Sequence, residues 1–424
     1  MNQKTLIGLG IAALIAIVVA IAVNHAQKPR SDEGGGETKS AYLVPALRDH
    51  VNDVDKLVVT GAESKPIATL SRGANGWTIA EKGGYAADTG KLRELLLKLA
   101  DAKLLEQKTS SKEKYATLGV EDVAGKDAKG VEIEIGGLAK PVKLILGTAN
   151  AHGGTFVRRA GEAESWLASG SLSVDKKAEN WLRKDLADVP ANRVESVAMT
   201  RPDGKTVRIA KESEGDANFK LADVPKGREA GSDYTVNGPA SALAGLKLDD
   251  VMPAKDAAPA EKPLKARFAT FDGLVVDVTA WEKDGKDYAQ LAASVDEKVA
   301  NQHVDAVQAK AKADYDAAVA AAKAKPPASE NAADAKPAVP AEPPKPEAVV
   351  DPAKDRGAKL AAVKKEADDF DARFKDWTFV LPAYKYAAIN KAPDEFLKPL
   401  GEKKPKVESG AKKTTPAKKA PKSG

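Results

Sequence analysis

The chain has 424 residues, a net charge of +5 with 30% charged residues, and no cysteine. That length suits two or three domains, each able to bury a core. The missing cysteine excludes disulfides, thiolate metal sites, a cysteine nucleophile and a lipoprotein anchor.

Thr5 to Val23 is an uncharged run of 19 residues, mostly Leu, Ile, Val, Ala and Gly. At 1.5 Å per residue it spans roughly 28 Å, about a hydrocarbon core, and predicts a transmembrane helix over 5–23. A cleaved signal peptide is the alternative, since Ala20-Ile21-Ala22 has the form of a cleavage site and Lys4 makes a short positive head. Lys4 favours an inside amino terminus, while Lys28 and Arg30 on the far side weaken that argument. The reading preferred is a single pass with the body outside the cytoplasm, since a four-residue head crosses a membrane less readily than an exported chain. Residues 24–41, polar and carrying Gly34-Gly35-Gly36, read as a flexible stalk.

A first α+β unit is expected over 42–189. Val54 to Thr60, Ile67 to Leu70 and Trp77 to Ile79 are short alternating runs separated by glycines, a meander signature. Asp88 should cap a helix with Leu92, Leu95, Leu96, Leu99 and Leu104 on its stripe. Val131 to Ile135 and Val142 to Leu146 alternate as a β-hairpin, and Thr155 to Arg159 and Ser165 to Ala168 add two strands. Asp175 is expected to open a short helix carrying Trp181.

A second α+β unit follows over 190–400, because the pattern repeats. Val194 to Thr200 matches Val54 to Thr60, and Asn218-Phe219-Lys220-Leu221 matches Gly76-Trp77-Thr78-Ile79. A weak helix over Pro239 to Leu248 and strands at Phe268 to Phe271, Leu274 to Trp281 and Tyr288 to Leu291 complete it. Where the first unit goes straight to Trp181, the second carries an Ala/Pro-rich insertion at about 300–372 before Trp377. Val304, Val307, Ala311, Tyr315 and Ala318 make one helical stripe, and Leu360, Val363, Ala367, Phe370, Phe374 and Trp377 another. Eight prolines between Pro326 and Pro352 break the two apart, predicting a helical hairpin arm. Residues 401–424 hold eight Lys against Glu402 and Glu408, about +6, and read as a disordered tail suited to anionic lipid or polymer. The rest of the chain is close to neutral.

The residues carry little chemistry. His25, His50, His152 and His303 are scattered, so no metal site is implied. No P-loop, dinucleotide fingerprint or nucleophile elbow is present. Gly153-Gly154 reads as a hairpin turn rather than an anion nest, and Asp249-Asp250 as an exposed turn rather than a paired-acid site. Arg158 and Arg159 point to opposite strand faces and suit structural salt bridges. Trp77, Trp166, Trp181, Trp281 and Trp377 are expected in the core. Catalytic, cofactor and metal residues are accordingly none, no cofactor is expected, and no specific nucleic acid is implied.

Gly76-Trp77-Thr78-Ile79, the Asp88 to Leu104 segment, Tyr115-Ala116-Thr117-Leu118-Gly119-Val120, Leu146-Gly147, Thr155-Phe156-Val157-Arg158 and the closing Trp377 to Lys385 stretch together resemble the DUF4340 family of bacterial membrane-anchored proteins. The resemblance runs from about Met1 to Leu400, apart from the insertion, and transfers no catalytic residue. Some members resemble auxiliary parts of gliding-motility-type ABC transport systems. It implies that the membrane is a bacterial inner membrane and the body periplasmic, and that the protein is a non-enzymatic accessory or scaffold with an ABC transporter or envelope complex as partner. The alternatives are an envelope protein holding anionic polymer or lipid by its Lys-rich tail and, third, an envelope hydrolase.

Overall fold

The computed structural model describes residues 41–324 and 349–399. The expected transmembrane helix, nearly all of the stalk, the proline-rich middle of the insertion and the Lys-rich tail lie outside the described residues. Among the described residues, no helix is long and apolar enough to cross a membrane. The architecture is α+β, with two large antiparallel sheets and several helices.

The chain enters through a short helix α1 (Pro45–Arg48). Nine strands of the first sheet follow: β1 (Lys56–Thr60), β2 (Pro66–Gly73), β3 (Gly76–Ile79), β4 (Tyr85–Ala86), β5 (Leu104–Thr109), β6 (Val131–Gly136), β7 (Val142–Ala149), β8 (Thr155–Arg159) and β9 (Ser165–Ala168). Helix α2 (Thr89–Asp101) lies between β4 and β5. Its N-cap is Asp88, which accepts a hydrogen bond from the Lys91 amide at 3.0 Å. Leu92, Leu95, Leu96 and Leu99 turn to the sheet and are buried. Leu104 does not extend that stripe: the helix ends at Asp101, and Leu104 opens the edge strand β5, paired with β9. A four-residue helix α3 (Tyr115–Leu118) crosses the outside of the sheet. Asp175 does not open a helix either; a single 3-10 turn, Ala178–Trp181, carries the buried Trp181.

After β10 (Asp185–Ala187) come β11 (Val194–Thr200), β12 (Thr206–Ala210), β13 (Lys220–Leu221), α4 (Asp233–Asn237), β14 (Leu246–Lys247), β15 (Asp250–Pro253), β16 (Leu264–Thr270), β17 (Leu274–Lys283) and β18 (Lys286–Val295). Two long helices, α5 (Glu297–Ala324) and α6 (Pro352–Phe374), then lead to β19 (Trp377–Leu381) and α7 (Ala383–Ile389). The weak helix expected over Pro239 to Leu248 is instead a 3-10 turn, Gly238–Ser241, that follows α4 directly, and the strand β14, which pairs with β10. Pro239 and two glycines, Gly238 and Gly245, leave no room there for a regular helix.

The first sheet is ordered β4-β3-β2-β1-β6-β7-β8-β9-β5 and the second β13-β12-β11-β16-β17-β18-β19-β15. Apart from β4, the order is the same strand for strand. The registers agree as well. Leu57 faces Leu70 and Ile135, while Val197 faces Ile209 and Phe268. Leu70 faces Ile79 as Ile209 faces Leu221. By this order β19 stands where β9 stands, so the copy of Trp377's strand is that of Trp166, not Trp181. The inserted helices therefore occupy the place of the short β8–β9 turn.

Helix α6 packs across the second sheet and buries Ala367, Phe370 and Phe374. The helix covering that sheet thus comes from the insertion, not from the segment that matches α2. Trp377 is not on the helical seam, because α6 stops at Phe374. Antiparallel to α6, the first turns of α5 are held by Gln308, whose amide donates to the Pro352 carbonyl at 2.8 Å. Arg356 on α6 donates to Asn301 at 2.6 Å. From Ala309, α5 runs on past the start of α6 to Ala324, roughly 24 Å of further helix at 1.5 Å per residue.

Candidate functional site

Two lysines of the first unit, Lys82 and Lys184, meet partners far along the chain at the seam between the two sheets. The 3-10 turn Ala80–Lys82, which precedes β4, reaches the edge strand β15. There the Lys82 ammonium meets Asp250 at 2.6 Å and Glu179 at 3.8 Å, with only 15% of the lysine side chain exposed. Beside it the Lys184 ammonium donates to the Asp249 carbonyl at 2.6 Å. Burial pushes the Lys184 amine below its ordinary value, against the pull of Asp249, Asp250 and Glu179. The ring of Tyr85 on β4 stands edge-on to Trp377 at 5.0 Å and to Phe379 at 6.2 Å. An apolar contact flanked by ion pairs therefore joins the sheets.

Asp249 and Asp250 consequently do not form a shared-proton pair. Asp250 is spent on Lys82, and Asp249 is exposed. The remaining candidates disperse. His50 sits exposed at 2.7 Å from Asp53. His152 lies in the β7–β8 turn, where Gly153 donates to the Asn150 carbonyl and Asn150 to that of Gly154, so the two glycines close a hairpin turn. His303 lies on α5, and His25 is outside the described residues. No group of three or more metal-ligating side chains exists among the described residues. Trp181 and Trp281 are buried, and Trp77, Trp166 and Trp377 are half-buried but packed against the main core, so all but Trp281 contribute to that packing from its inside or its rim.

Arg158 is structural, as expected, and its place explains several motifs at once. It is 3% exposed, donates through Nε to the Val120 carbonyl at 2.7 Å and through Nη1 to that of Glu162 at 3.0 Å, and pairs with Asp122. Its guanidinium lies 4.6 Å from the Tyr115 ring centroid. Tyr115, Val120 and Ile145 form a small core of their own, with Leu118 and Phe156 packed against it. Gly119 ends α3 in the left-handed region at φ 68°, and Gly147 lets the Leu118 carbonyl approach β7 where a side chain would strike it. Arg159, on the other strand face, donates to the Leu43 carbonyl at 3.0 Å and holds the entering chain.

Sequence reasoning missed one further cluster. Arg193, 23% exposed, holds both oxygens of Glu366 on α6 at 2.8 and 2.6 Å and reaches Asp272 in the β16–β17 turn at 2.8 Å. The partners lie 79 and 173 residues away, and no local pattern announces them. Burial alone would raise the Asp272 carboxyl, but hydrogen bonds from Arg193 and Thr270 and the arginine charge outweigh it and hold the group below its ordinary value. A depressed carboxylate adds stability that is complete above its unfolded value, about 3.9, and is lost as pH falls through the folded one. The expected result is a steeper loss of urea stability below pH 4 in the wild type than in Asp272→Asn, which lacks the titration; parallel curves would contradict it.

A twice-built antiparallel α+β body with a charged seam and an inserted helical arm is the class the fold defines. Residues 77–266 match the family model of the domain of unknown function DUF4340, the family the motifs resemble. The match runs from β3 to β16, so it takes in the small core around Arg158 and the Lys82–Asp250 seam and leaves out the inserted helices. No curated protein and no solved structure matches the chain.

Proposed function

We propose that this protein is a single-pass bacterial inner-membrane protein whose body stands in the periplasm and serves, without catalysis, as an accessory or scaffold for an ABC-type transporter or envelope complex. The observation that carries the reading is the repeat: one sheet topology is built twice, in register, and the ion pairs Lys82–Asp250 and Arg193–Glu366 brace it. We read the repeat as the duplication of one ancestral unit. Together with the DUF4340 match and the 19-residue apolar run at Thr5 to Val23, it favours a tethered binding body. Its contact surfaces would be the sheet edges and the stretch of α5 beyond Gln308, where Ala311, Ala318 and Val319 form a half-exposed stripe with Tyr315 beside them.

Crosslinking the intact protein in its own cells, followed by identification of what co-purifies, tests this. Recovery of a transporter permease or ATPase is the expected result. A solitary, monodisperse protein, or one found in the cytosolic fraction, would refute it.

A second reading rests on the tail, whose eight lysines suit an anionic surface. If the tail is the contact, deleting Lys403 to Gly424 abolishes salt-sensitive binding to anionic vesicles. Unchanged binding assigns the contact to the body.

A further inference from the structure

The shared register supplies an internal comparison. Arg72 lies two residues beyond Leu70 and faces Trp77 across the β2–β3 pair. In the second sheet Lys211 lies two residues beyond Ile209, and Phe219 stands where Trp77 does. Both sheets thus carry a cation and an aromatic ring at the same two positions, but they use them differently. Lys211 is 8% exposed and lies 4.9 Å from the centre of the Phe219 ring, closing that site. Arg72 stays exposed, Trp77 half-exposed, and a groove of about 220 Å³ opens beneath them.

Val54, Leu92, Leu96 and Trp77 form the apolar part of the groove, and Arg72 and Arg93 stand at it from the sheet and from α2. Arg72 donates to the Asn52 carbonyl at 2.9 Å. Among the described residues neither guanidinium has a carboxylate within ion-pair distance. Two such groups beside an apolar floor match a ligand with one planar or tetrahedral anion and an aliphatic body. The volume, below the usual range for drug-sized ligands, restricts that body to a short chain.

We propose that this groove is a binding site for a short aliphatic molecule with a single anionic head, the head held between Arg72 and Arg93 and the chain laid over Trp77 and Leu92. This goes beyond the scaffold reading and does not depend on it. Hexanoate and hexyl phosphate, titrated separately into the full-length protein in lipid nanodiscs with empty discs subtracted, identify the head. One of the two saturates a single site and changes the tryptophan emission. Hexanol and acetate bind at least ten-fold more weakly, since each lacks one half of the recognition. Arg72→Gln/Arg93→Gln weakens binding at least ten-fold, Arg93→Gln alone at least three-fold, and Trp77→Phe removes the emission change. Lys98→Gln, on the same helix but outside the groove, leaves affinity unchanged. Failure of both probes to saturate, equal binding of hexanol or acetate, or wild-type affinity in the double arginine variant overturns the proposal.

Discussion

Replacing Phe374 with alanine lowers the stability of the folded body by about 3–5 kcal/mol, the range for emptying a buried phenylalanine site. Phe374 is 1% exposed near the end of α6, stacked on Phe370 at 5.6 Å and edge-on to Phe379 at 6.3 Å. Phe379 in turn meets Tyr85 of the first sheet. The ring is therefore one link in an aromatic chain running from the inserted helix through β19 to the seam. Truncation leaves a cavity that two flanking sheets cannot collapse to fill, because both are held by their own strand ladders. Urea unfolding of the full chain should show a clearly lower midpoint, with Phe374→Leu milder because most of the volume is kept. Tyr315→Ala, on the exposed part of α5, should fall within about 0.5 kcal/mol of wild type. A Phe374→Ala loss as small as that of Tyr315→Ala would mean that α6 is an appendage and not part of the core.

Legibility in the sequence followed the range of the interactions. The repeat was readable because β1 and β11 are central strands whose runs bury the same offsets, Val54, Leu57 and Val59 in one and Val194, Val197 and Met199 in the other. Asp88 was readable because a cap needs only the next turn. Strand β5 was not: after Leu104 its side chains are exposed or half-exposed, so an edge position erased the alternation. The strand β19 was aligned to the wrong tryptophan because the insertion carries it far from β18, its hairpin partner in space. Likewise the role of α6 was hidden. Its stripe reads equally as the seam of a protruding hairpin and as a face packed on a sheet, and only the sheet's position decides. The Lys82 pairs at the seam and the Arg193 cluster join residues more than 70 apart, and a lone Lys82 or Arg193 carries no sign of its partner. The groove at Trp77 was concealed by the same logic, since an aromatic residue in an alternating run reads as core whether or not the neighbouring helix leaves it open.

Arg158→Ala should be as damaging as the loss of Phe374, by a different mechanism. The side chain is almost wholly enclosed, and its charge is compensated by Asp122, by two backbone carbonyls and by the Tyr115 ring. Removing it strands the buried Val120 carbonyl, releases that of Glu162 on the exposed turn, and leaves the small core around Tyr115 without its lid. The buried unpaired acceptor costs about 1–3 kcal/mol, and the volume emptied beside the Tyr115 ring adds to it, whereas Asp122 is exposed enough to be solvated once its partner is gone. Arg158→Met separates the two contributions, because it restores much of the volume but none of the donors. If packing dominated, methionine would recover nearly full stability; if the donors dominate, as the buried Val120 carbonyl implies, it recovers less than half. Asp122→Asn should be far milder, since Asp122 is largely exposed and its partner keeps both carbonyls. Hydrogen exchange gives the local readout. In Arg158→Ala the amides of Tyr115 to Val120 should lose protection before those of the central strands β1 and β6, because the guanidinium ties the turn to β8 and its loss leaves the small apolar core and the Thr148 hydroxyl on Leu118 to hold it. Uniform loss across the sheet would show instead that the turn and the sheet unfold as a single unit.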